Sequence, residues 1–248
     1  MAKKKTAPQV IWMGGVVDQG TGVPLDSAHY TAPFTIGNTS ETPLAWVQSG
    51  PLLVSKDTLC LNISWNTLNR LGFVSGRPVT IDGKPYFCRS IRTGGKDDLR
   101  ELGWIFGDTV DEEEIWNWNK GHFWCWDDTQ DMSCPARQQP ASGFVFIGTA
   151  TWFNQELWAG IGFRPVLEPL PPALPQEALQ VGQSVTAFGL GGTVRGRIVE
   201  ISSYDLVLEP DDQNPAKYPW AVVQGGLLVV DKSAILHLLE NSIKEENQ

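Results

Sequence analysis

Five prolines fall within residues 163–183, "FRPVLEPLPPALPQEALQVGQ". Each ring fixes φ and removes a backbone donor, so neither a helix interior nor a central strand fits this stretch. It reads as an extended, semi-rigid linker over 169–182. The chain then divides into a larger part, 1–168, and a smaller one, 183–248. Composition changes across the divide: ten of the eleven tryptophans precede it and only Trp220 follows.

The smaller part has the simpler pattern. "SVTAFG" (184–189), "TVRGRIVEI" (193–201), "YDLVLEP" (204–210), "WAVVQGG" (220–226) and "LLVVDK" (227–232) are short runs rich in Val, Ile and Leu. Gly, Ser and Asp-Asp-Gln-Asn turns separate them, which is the signature of a small antiparallel barrel of five strands, SH3-like in scale. "SAILHLLENSIKEEN" starts on Ser233, a good N-cap, and carries apolar residues at helical spacing. It is expected to be a terminal helix packed on the barrel.

The larger part mixes short strands, short helices and long polar stretches. Strand-like pieces are 10–17, 51–55, 78–92, 143–148 and 162–168. Within the third, "IDGKPYF" places Asp-Gly between apolar residues, a strong hairpin signal. "SWNTLNRLG" (64–72) reads as a helix with Ser64 as cap, Trp65, Leu68 and Leu71 on one face and Gly72 as stop. "DTVDEEEIWNWNKG" (108–121) reads as a second, with acids in the first turn where the helix dipole favours them. The fold class is therefore α+β and loop-rich.

Residues 62–95, "NISWNTLNRLGFVSGRPVTIDGKPYFCRSIRTGG", resemble a segment of uncharacterised phage- and prophage-encoded proteins. In those proteins an Ile-Ser-Trp precedes a short helix and a Val-Thr-Ile-x-Gly-x-x-Tyr hairpin, followed by Arg and Gly-Gly. A Trp-Asn-Trp element, a Trp-Cys segment and a closing Gly-[Trp/Phe]-Arg-Pro-Val-Leu-Glu come after it. Here they correspond to "IWNWNKGHFWCWDD" (115–128) and "GIGFRPVLE" (160–168). The closing signature is also similar to the last strand of the formylglycine-generating-enzyme and C-type-lectin-like fold. The resemblance covers about 62–168 and implies a C-type-lectin-like domain with its last strand beside its first. Such folds hold a small rigid sheet and display long loops, so they serve mostly as binding scaffolds. The chain departs from the pattern at "ARQQPASGFVFIG", where an Arg-Gly-Gly segment is usual. The implied settings are a host cytoplasm or a virion.

Catalytic constellations are thin. No nucleophile elbow, P-loop or His-Glu-x-x-His is present. "FGLGGTVRG" (188–196) imitates a phosphate loop but leads into a strand, without a helix N-terminus to hold the anion. His122 stands near Asp127 and Asp128, where structural hydrogen bonding is its expected state. Cys60, Cys88, Cys125 and Cys134 form no Cys-x-x-Cys pair and read as buried thiols, with a Cys125–Cys134 bridge open only outside a reducing compartment. They do not stand in the motif of the copper-binding oxidase, so that activity is not expected. "WDDTQD" gathers Asp127, Asp128 and Asp131, a calcium-loop composition without EF-hand spacing; no cofactor is expected, calcium being the one alternative. The chain reads as non-enzymatic.

The tryptophans are the best functional lead. Each ring buries ~200 Å², and ten exceed what a domain of this size comfortably encloses. Some are therefore expected to line loops and stack on a flat polar ligand. The candidate ligand set is Trp116, Trp118, Trp124, Trp126, Trp152 and Trp158, oriented by Asp127, Asp128, Arg137 and Gln138. On a strand, Trp124 and Trp126 share one face, with Phe123 and Cys125 on the other. Arg164 is read as structural, held in a buried stacking or ion-pair contact. The ligand would be a glycan or a nucleotide-derived molecule, such as a sequestered host immune signal. Alternatively the chain is a virion component facing a host surface or a neighbouring subunit. Homo-oligomers remain open. The formal charge of −9 opposes general nucleic-acid binding despite the "MAKKK" start. No secretory signal is read, and no apolar run reaches the ~20 residues that span a bilayer.

Overall fold

Along residues 52–55 every side chain is buried, whereas a half-exposed strand would alternate. A strand buried on both faces must lie inside a sheet that is covered twice. The computed structural model describes residues 8–25, 33–92, 100–106, 113–117, 122–125, 133–138, 146–151, 161–212 and 218–241. Its larger part contains β1 (Val10–Met13), β2 (Gly15–Asp18), β3 (Phe34–Gly37), β4 (Leu44–Ser49), β5 (Leu52–Ser55), α1 (Trp65–Arg70), β6 (Arg77–Ile81) and β7 (Lys84–Arg89). Then come α2 (Arg100–Phe106), α3 (Glu113–Trp116), β8 (His122–Phe123), β9 (Ser133–Gln138), β10 (Phe146–Thr151), β11 (Ile161–Gly162) and β12 (Val166–Pro169). The helices are short, and the described chain is β-rich.

One sheet organises this part, in the order β1-β4-β5-β12-β7-β6. Leu53, Trp46 and Leu167 face a large core that includes Phe34, Phe73, Phe163, Trp65 and Trp124. Their neighbours Leu52, Val47, Val54 and Val166 face a second core with Ile105 and Phe106 of α2, Trp116 of α3 and Phe123. The larger core is fastened by aromatic pairs: Phe73 lies 5.1 Å from both Phe34 and Phe163. In the smaller one Phe106 meets Trp116 edge-on at 4.7 Å.

Local chemistry accounts for two elements. Ser64 accepts from the Thr67 amide and starts α1, whose Trp65, Leu68 and the following Leu71 are buried. Asp82 and Gly83 both take positive φ, +50° and +76°, and join β6 to β7 as a two-residue turn. Two expectations change. α2 was not foreseen, and of the helix expected over 108–121 the structure describes only α3. The closing strand β12 pairs with β5 and β7, not with β1, which sits at the sheet's outer edge on β4.

The smaller part adds β13 (Ser184–Gly189), β14 (Gly192–Ile201), β15 (Asp205–Pro210), β16 (Ala221–Gln224), β17 (Leu227–Asp231) and β18 (His237–Glu240). They form an antiparallel sheet in the order β16-β17-β15-β14-β13-β18, around Val185, Ile198, Leu208, Trp220, Val230 and Leu238. All five expected strands are present. The expected terminal helix is corrected: Asp231, not Ser233, caps a single 3-10 turn (Lys232–Ala234), and the chain then enters β18. Helical spacing loses here because β13 offers an unfilled edge, and a strand there buries His237 and Leu238.

The proline-rich segment is laid against both parts. The Leu170 amide donates to Pro85 O at 3.1 Å and the Leu174 amide to Leu238 O at 2.7 Å. Phe87 and Phe188 meet edge-on at 5.5 Å, and Ser75 Oγ donates to Gly191 O at 2.5 Å. No helix among the described residues is long and apolar enough to cross a membrane.

Gly76 (φ +111°) would place a Cβ 2.4 Å from the Phe87 ring, whereas a Cβ on Gly83 meets nothing within 4 Å. Urea unfolding is expected to show Gly76→Ala costing about 2 kcal/mol or more, and Gly83→Asn changing stability by about 0.5 kcal/mol at most. His237 Nε2 lies 3.0 Å from Pro171 O, and burial pulls the imidazole below its usual 6.5. A depressed pKa means the folded state resists protonation, so this contribution holds above pH 6.5 and fades as pH falls below it. Thermal melts from neutral to mildly acidic pH should show a loss that His237→Gln reduces.

Candidate functional site

β8 and β11 run parallel, with Ile161 opposite His122 and Gly162 opposite Phe123. Parallel neighbours cannot be joined by a tight turn. Residues 126–160 are thus a crossover that leaves the framework at Cys125 and rejoins it at Ile161. Most of the sequence-derived ligand set lies within this segment.

The roots of the crossover are tightly held. The Trp124 amide donates to Gly162 O at 3.1 Å and its indole Nε1 to Ile63 O at 2.7 Å. Trp65 Nε1 donates to Cys125 O at 3.0 Å. Arg164, fully buried, places its guanidinium 5.1 Å from the centre of the Phe123 ring. Its Nη1 donates to Ser55 O (3.3 Å) and Lys56 O (2.9 Å), and its Nη2 to Thr58 Oγ1 (3.3 Å) and Trp116 O (3.0 Å). Of the two structural roles read from the sequence, stacking or ion pairing, the stacking one is seen, and the donors add two chain segments, 55–58 and Trp116.

A second buried cation fixes α2. Arg89 bonds Glu101 at 2.5 and 3.0 Å and Glu168 at 2.5 Å, joining β7, α2 and β12. Burial opposes its charge, but the Glu101 bond and both carboxylates outweigh that and raise its pKa. Burial likewise pushes the Cys88 thiol well up, so it stays neutral. Cys60 and Cys125 are buried too.

Two members of the candidate ligand set are corrected. Trp116 and Trp124 are sealed core residues and cannot stack on a ligand. Spacing does place Phe123 and Cys125 opposite Trp124, as expected, but both faces of this ribbon are covered by protein. Alternation tells which rings share a face; it does not tell whether that face is wet. Arg137 and Gln138 lie on β9, opposite Ile147 and Phe146 of β10, where the backbone is described. Trp118, Trp126, Asp127, Asp128, Trp152 and Trp158 lie outside the described residues, as does the acidic loop read for calcium. Among the described residues no cluster of three metal-ligating side chains occurs.

Two exposed rings escaped the sequence reading. Trp12 is 63% exposed on the edge strand β1, and Trp104 of α2 is 52% exposed where it lies across Gly50. The alternation in "VIWM" does separate Val10 and Trp12 from Ile11 and Met13. Which pair faces water depends on β1 being an edge, which the sequence does not encode locally.

Comparison with family models, with curated proteins and with solved structures found no match to this chain.

Arg164→Met would remove its guanidinium from four acceptors, three of them buried. The expected loss is about 3 kcal/mol or more in unfolding free energy. Arg164→Lys keeps the charge without the planar fork and is expected to fall between, as read from the same denaturant curves.

Proposed function

We propose that this is a phage- or prophage-encoded, non-enzymatic binding protein that holds a small polar ligand, a glycan or a nucleotide-derived molecule, with side chains of the 118–160 segment. The supporting observation is the geometry of the roots. The crossover begins and ends on neighbouring strands, and buried Trp116, Trp124 and Arg164 fix both ends. Fixed roots on a rigid sheet are how loop-displaying scaffolds hold their binding residues in place. Trp126, Trp152 and Trp158 supply stacking faces in this reading, and Asp127, Asp128, Arg137 and Gln138 supply orientation. The larger part is then a lectin-like scaffold in its layout of small sheet and long insertion, although β12 does not lie beside β1. The smaller part is an SH3-like barrel extended by β18.

A second reading makes the chain a virion component that contacts a neighbouring subunit or a host surface. It is favoured by Trp12 and Trp104, indoles exposed on the framework itself. Such rings are typical anchors of protein interfaces.

Thermal-shift measurements on the full chain against mono- and oligosaccharides and against linear and cyclic nucleotides separate the two. The first reading expects at least one ligand to raise Tm by about 3 °C, and the Trp126→Ala/Trp158→Ala variant to lose that response. Stabilisation that persists in the variant would move the site elsewhere. No response to any ligand, with the protein found in purified virions by mass spectrometry, would establish the second reading instead.

A further inference from the structure

A groove of about 660 Å³ opens on the smaller part. Three segments build it: the end of the proline-rich strap, the β14–β15 turn, and the turn that follows β17. Gln176 of the strap donates to Lys232 O at 3.2 Å. In the β14–β15 turn Ser202 Oγ accepts from the Tyr204 and Asp205 amides, while Tyr204 O accepts from the Lys232 amide at 2.9 Å. Tyr204 thus has a pinned backbone and a ring that is 81% exposed. A rigidly mounted tyrosine standing in solvent at the wall of a groove contributes nothing to the core.

The charge of the lining selects the occupant. Asp205 and Asp231 stand directly opposite each other across β15 and β17, both on the groove. Like charges in that position repel. Among the described residues no lysine or arginine lies within ion-pairing distance of either. Lys232 also lines the groove, but it directs its Nζ to Ser202 O at 2.7 Å rather than to either carboxylate. The groove therefore offers the Asp205 carboxylate, the Asp231 carboxylate whose Oδ1 also accepts from the Ser233 amide and hydroxyl, one aromatic face and the apolar flank of Ile235. That set matches a cation carried on an apolar stem: carboxylates take the charge, and the ring takes the stem or the cation's face. The volume exceeds what one side chain fills and suits a short peptide.

We propose that this groove binds a basic peptide segment of a protein partner, seating an arginine or lysine side chain between Tyr204 and the Asp205–Asp231 pair. The site is independent of the crossover and of what the crossover binds.

Fluorotyrosine labelling of the full chain gives a local readout, because the chain has four tyrosines. The Tyr204 signal is assigned with Tyr204→Phe. An acetylated Arg-Gly-Arg-Gly-Arg amide is titrated beside the matching citrulline peptide, which has the same shape without the charge, and beside spermidine. The arginine peptide is expected to move the Tyr204 resonance saturably and the citrulline peptide to leave it in place. Asp205→Asn/Asp231→Asn is expected to weaken the arginine response at least about tenfold, with the other tyrosine signals unchanged as the check on folding. A static Tyr204 resonance, an equal response to citrulline, or full binding by the double variant would overturn the proposal. An equal response to spermidine would assign the groove to free polyamines and overturn the peptide as occupant.

Discussion

The guanidinium of Arg164 is the contact on which the framework of the larger part depends. A charge removed from water costs several kcal/mol unless its donors are all but fully engaged. Here both terminal nitrogens are directed to the end of β5, to the residues just after it and to the last turn of α3, with Phe123 of β8 against the planar face. The 55–58 stretch is far in sequence from Trp116 and Phe123, and no strand ladder joins them. One planar cation joins them because its forked geometry reaches several carbonyls at once, which lysine cannot do. Arg89 repeats the principle with carboxylates, tying α2 to β7 and β12.

The second organising fact is that the main sheet is covered on both faces. Each covering layer is thin: α1 and the β2–β3 hairpin lie with one core, and α2, α3 and β8 with the other. Thin layers need large side chains to exclude water. That accounts for the density of tryptophan and phenylalanine before the proline-rich strap better than a ligand pocket alone would. Trp46, Trp65, Trp116 and Trp124 act as filling, and the indole N–H of Trp46, Trp65 and Trp124 donates to a backbone carbonyl, so no polar atom of those rings is stranded. Among the described residues the rings left for contact are those at the margins, Trp12 and Trp104.

Much of the fold was legible where local chemistry decides it. Asp82-Gly83 specifies a turn by backbone preference, Ser64 specifies a helix start by its side-chain acceptor, and short Val-, Ile- and Leu-rich runs between turn residues specify the strands of the smaller sheet. Readings failed where distant contacts decide. The 233–241 segment has helical spacing, but an open sheet edge made it a strand. The resemblance placed the closing strand beside the first, whereas β5 and β7 enclose it. Of the candidate site, spacing foretold the alternation of residues 123–125 but not the parallel pairing of β8 with β11, and it gave Trp116 and Trp124 to a ligand when two opposing cores claim them. Burial on a particular face is a property of what packs there, and no window of the sequence contains it.

Hydrogen exchange of the indole N–H groups, followed by NMR on the full chain, tests the two-sided framework most directly. The account predicts that Trp65 and Trp124 exchange only through near-global unfolding, while Trp12 and Trp104 exchange within the dead time. Rapid exchange at Trp124 would mean that the roots of the crossover are open to water, and would contradict it.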